Sequence, residues 1–77
     1  MNWKDTVTDP DEVKVFLALD DPNSTWRTVW AIARQTGLSE QRVAAILKKY
    51  NLTLTRQSET PAISGSALVG LIEKVGV

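Results

Sequence analysis

A glycine at position 37 divides the run IARQTGLSEQRVAAIL, Ile32 to Leu47, into two short helical stretches. This hinge limits the fold more than any other feature of the chain. Upstream, VWAIARQT places Val29, Ile32 and Ala33 on one helical face. Gly37 then falls where helices commonly end in left-handed backbone, which glycine adopts without steric cost. Downstream, Leu38 packs back from the turn and Ser39 is a natural N-cap for EQRVAAILKKY. Glu40 lies at the positive end of that helix dipole, and Lys48 and Lys49 lie at its negative end. Val43, Ile46, Leu47 and Tyr50 follow at i, i+3, i+4 and i+7, a single apolar face. This helix either reads a nucleic acid with its opposite face or only closes a hydrophobic core.

The segments on either side extend the pattern. In DPDEVKVFLALDD, Asp9 is an N-cap, Pro10 suits the first helical position and Glu12 completes an Asp-x-x-Glu capping box. Val13, Phe16 and Leu17 share a stripe, with Val15 and Leu19 beside it, and Pro22 forces Asp21 out of helical backbone. STWRT reads as a brief extended segment, a short edge strand, after which Thr28 caps the second helix. Beyond Asn51 the period becomes alternating. Leu52 and Leu54 take one side and Thr53 and Thr55 the other, as in a half-buried strand. SETPAISGS is a turn-rich loop. The last segment, ALVGLIEKV, fits two readings. Leu68, Leu71, Ile72 and Val75 have helical spacing, yet Val69, Ile72 and Val75 are β-branched and Gly70 costs a helix interior about 1 kcal/mol. A return strand pairing with the first is favoured.

Inventory excludes several functions. The chain of 77 residues makes one domain, spanning 1–77, near the lower size limit for a self-sufficient core. It has no cysteine and no histidine, which removes disulfides, thiolate metal sites, the usual general base and the commonest zinc ligand. No phosphate-cradling glycine loop and no nucleophile–base pair occurs, so no enzyme activity, cofactor, metal or small-molecule ligand is expected. No apolar run approaches the ~20 residues that span a bilayer and the amino terminus is no signal peptide, so no membrane partner is expected and the cytoplasm is the default compartment. Net charge is zero but unevenly spread. Residues 1–22 hold two lysines against six acids, a balance of −4, whereas 23–57 hold six cations against Glu40 alone, a balance of +5. Such a split points to one anion-facing side.

The run WRTVWAIARQTGLSEQRVAAIL resembles the helix-turn-helix core of bacterial and archaeal winged helix-turn-helix domains, with Ala33, Gly37, Leu38 and Ser39 in the small-residue and turn positions. LTRQSETPAISGSALVGL is similar to that family's strand–wing–strand. The resemblance covers a core of residues 10–73 with a wing loop at about 57–66. It implies an α+β winged helix: a three-helix bundle with a helix-turn-helix and a small antiparallel β-hairpin. It also implies duplex DNA as partner and transcription regulation as the setting. The third helix (39–50) would lie in the major groove, as a homodimer or within a larger assembly.

On that reading Ser39, Glu40, Gln41, Arg42, Ala44, Ala45 and Lys48 face the groove. Gln41 suits adenine and Arg42 suits guanine. Arg27 and Thr28 before the second helix, Lys48, Lys49, and Arg56 at the wing would meet the backbone. The wing departs from the family, since it carries Glu59 and no cation. About four phosphate contacts remain, for a salt slope near −3.6. The alternative is a protein-interaction winged helix module without direct DNA contact. It would dock through Trp26 and Trp30, whose rings otherwise cover the edge of a small core.

Overall fold

The computed structural model describes residues 2–76. A 3₁₀ turn, Trp3–Asp5, precedes α1 (Pro10–Leu19); β1 (Arg27–Thr28) leads into α2 (Val29–Thr36), and α3 (Glu40–Lys49) follows the hinge. The chain closes with β2 (Thr55–Gln57), β3 (Leu68–Leu71) and the single turn α4 (Ile72–Val75). The result is a small α+β domain in which helices pack on one antiparallel sheet of order β1-β3-β2.

Local chemistry sets the helix boundaries. The Asp9 carboxylate accepts from the Asp11 and Glu12 amides, Thr28 Oγ1 from Ala31 and Ser39 Oγ from Arg42, the last two at 3.1 and 3.0 Å. Each such cap stabilises by about 1 kcal/mol. Gly37 takes φ +78° and its amide donates to the Ala33 carbonyl, so α2 stops and α3 starts in a new direction. The buried faces of α2 and α3 are Ile32 and Ala33, and Val43, Ile46 and Leu47. They meet Val15, Phe16, Ala18 and Leu19 of α1 and Val69 and Leu71 of β3 in one core.

Trp3 and Val7 join this core from outside the expected 10–73 span. Trp3 lies 5.4 Å from Phe16, centroid to centroid, and its indole N–H donates to Asp20 at 3.1 Å. On α1 the buried face runs through Glu12, Val15, Phe16 and Leu19, which leaves the expected stripe residue Leu17 exposed.

The hairpin corrects two expectations. Residues 50–54 form a turn rather than the start of a strand. The Tyr50 carbonyl accepts from the Thr53, Leu54 and Thr55 amides, and Leu52 sits at φ +66°, exposed. The strand begins at Thr55, which is buried, so the inward side belongs to Thr55 rather than Leu52. The ambiguous tail contains both of its candidate structures: Leu68–Leu71 is the central strand, and Ile72–Val75 turns into helix. The loop joining β2 to β3 spans 58–67 and is tied by Ala62–Ser66 and Gly65–Ala62 backbone bonds.

Register explains Gly70. Arg56 pairs with Gly70, and Arg27 with Val69, which brings Trp26 opposite Gly70 on the far side. Alternation puts these three on the sheet face away from the core. A Cβ on Gly70 would lie 2.9 Å from the Thr25 carbonyl oxygen and 3.0 Å from the Trp26 ring. The missing side chain lets the Arg56 guanidinium reach across the middle strand to 5.4 Å from the Trp26 centroid. Among the described residues no helix is long and apolar enough to cross a membrane.

Candidate nucleic-acid interface

Helical spacing sorts the outward side of α3 into three strips. The central ridge is Gln41, Ala45 and Lys48, all exposed. One flank, Ala44, Leu47 and Lys48, borders a mostly apolar groove of about 260 Å³, closed on its other side by Val29, Thr55, Gln57 and Val69. The other flank, Arg42 and Lys49, faces the start of α1.

That second flank is where the structure departs most from sequence expectation. Arg42 Nε lies 3.4 Å from Asp11 and its Nη2 lies 3.5 Å from Asp9. Lys49 Nζ donates to Glu12 Oε2 at 2.8 Å, and the Tyr50 hydroxyl donates to Glu12 Oε1. Glu12 is 5% exposed, so its carboxylate is an internal tie between α1 and α3 and not a solvent-facing capping-box side chain. Burial pushes the Glu12 carboxyl up, but the hydrogen bonds from Lys49 and Tyr50 together outweigh it and hold it below its usual range. Their respective hydrogen bonds to Glu12 raise Lys49 and Tyr50 above theirs.

The other expected phosphate contacts are also engaged within the chain. Arg27 Nη1 lies 3.7 Å from Asp21, and its side chain is 16% exposed. Arg56, expected to meet the backbone at the wing, is on the sheet face away from α3, stacked on Trp26 and donating to the Gly76 carbonyl at 3.5 Å. Thr28 spends its hydroxyl on the α2 cap. Ser39 does the same for α3, and Glu40 is exposed in the first turn of α3. Among the described residues, Lys48 and Arg56 are the expected contact cations with no carboxylate within ion-pair distance, and of the two Lys48 lies on α3.

The two tryptophans offered as an alternative interface differ in setting. Trp26 is half-buried against Gly70 and Arg56. Trp30 is 57% exposed, with the Arg34 guanidinium 4.8 Å from its ring centroid. At the tip of the β2–β3 loop Ile63 is fully exposed.

The acidic partners Asp9, Asp11 and Glu12 were not among the sequence-derived site residues. One signal for Glu12 was available: it stands four residues before Phe16, on the buried stripe of α1. Arg42 and Lys49 stand seven apart, hence on one flank of α3. The fold and site define a small α+β domain with an uncovered, weakly cationic third helix beside a three-stranded sheet. No protein-family model, curated protein or solved structure matches the chain.

Proposed function

We propose that this chain is a winged helix module that engages duplex DNA through α3, with an affinity low enough to require a second module or copy. One observation carries the reading: the ridge of Gln41, Ala45 and Lys48 is open to solvent, and its central alanine leaves room for close approach. Glutamine at the amino-terminal end supplies paired donor and acceptor groups for adenine, and Lys48 about two turns on supplies a phosphate contact. The chain-wide neutrality and the internally paired arginines limit the electrostatic contribution. Single-module binding of non-specific duplex is expected at a Kd on the order of 10⁻⁴ to 10⁻⁵ M.

The test is fluorescence anisotropy of a labelled duplex titrated with wild type and with a Gln41→Ala, Lys48→Ala double variant. Binding that weakens with salt and is lost in the double variant supports the reading. Equal binding by both proteins removes α3 from the interface and overturns it.

Trp30 favours a second reading, a protein-facing role. An exposed indole under a stacked arginine is the composition of an interaction hot spot. Dimerisation in sedimentation that disappears in Trp30→Ala, with no DNA binding by wild type at low salt, would replace the first reading with this one.

A further inference from the structure

We infer that Asp9 and Asp11 are positioning residues for Arg42, holding its guanidinium on the α1 flank and thereby lowering the affinity of α3 for DNA. This inference rests on the DNA reading of α3 and names a control built into the same face. The guanidinium has two ways to satisfy its donors. Toward α1 it meets two carboxylates at 3.4 and 3.5 Å; toward solvent it would meet a phosphate or the edge of a guanine.

All three side chains are 41–46% exposed, so the pairs are water-accessible and exchangeable. Exposed pairs of this kind each shift an equilibrium by a factor of about five or less. The clamp is therefore weak enough for DNA to displace and strong enough to change the apparent affinity. The two carboxylates also stand beside the amino-terminal half of α3, where an incoming phosphate is repelled by them and attracted by the helix end. Asp9 has a structural duty as well, since its side chain caps α1. Asp9→Asn retains that cap, because asparagine accepts the same amide bonds, while removing the charge.

The experiment measures duplex binding by anisotropy for wild type, D9N/D11N, R42A and the triple variant D9N/D11N/R42A, with Asp5→Asn as a control for charge alone. Thermal melts establish that each is folded. Relief of the clamp is expected to tighten binding by about threefold to tenfold in the Arg42 background, with the salt slope steeper by about one. In the R42A background the same two substitutions are expected to change affinity little more than Asp5→Asn does. Equal gains in both backgrounds would mean general electrostatics and overturn the clamp. Binding that needs Gln41 and Lys48 but ignores Asp9 and Asp11 overturns the clamp alone. Absence of binding by both wild type and D9N/D11N overturns the clamp and the DNA reading together.

Discussion

Two single positions carry backbone or packing constraints that substitution should expose. At Gly70 any side chain would press on the Thr25 carbonyl, the Trp26 ring and Val75 Cγ1, the last at 3.0 Å. Gly70→Ala is therefore expected to cost about 1–3 kcal/mol, read as a lowered thermal midpoint. Leu52 is the opposite case. It holds φ +66° while 73% exposed, so its side chain returns little for the left-handed backbone it occupies. Leu52→Gly is expected to stabilise by up to about 1 kcal/mol in chemical denaturation. The difference between these residues marks what could be read from the sequence. Gly37, Ser39, Thr28 and Asp9 announce themselves because capping is decided within four residues of chain. Gly70 looks like a helix-breaker or a strand defect until register brings Trp26 and Arg56 to either side of it.

Between elements, the tie from α1 to α3 through Glu12 predicts a pH response. The folded carboxyl titrates below its ordinary 4.5, so its stabilisation is present above that value and is lost as pH falls through the lowered folded value. Tyr50 and Lys49 are raised above 10.0 and 10.5, so their share is present below those values and lost as pH rises through the raised ones. Glu12→Gln is expected to cost about 1–3 kcal/mol at neutral pH and to flatten the acid limb of stability against pH, followed by circular dichroism. An unchanged acid limb would remove Glu12 from that role. The three main helices were legible because each has its own period and caps. The hairpin was legible only in outline: Leu52 and Leu54 alternate as a strand should, but the Tyr50 carbonyl gathers three amides and makes a turn there. Ion pairs between α1 and α3 depend on which flank of one helix meets the end of another, and no local pattern encodes that.

For the molecule as a whole, the proposed DNA reading combines with zero net charge and internally engaged cations to predict a shallow salt dependence of binding. With Lys48 and Arg42 as the contacts, the slope of log K against log salt is expected between about −1 and −2, less than the four contacts the sequence implied. Adding cations to the β2–β3 loop, as Glu59→Lys with Thr60→Lys, should steepen it by up to about two if that loop lies along the duplex. An unchanged slope would place the loop away from DNA.

The three tryptophans also give the protein an optical signature of its own. Trp3 is sealed in the core, Trp26 is sheltered between strand and guanidinium, and Trp30 stands in water. Iodide should therefore extinguish mainly the Trp30 emission. A ligand seated on α3 leaves that quenching unchanged, whereas one seated on α2 shields it, so the unlabelled chain reports by its own light which side has been occupied.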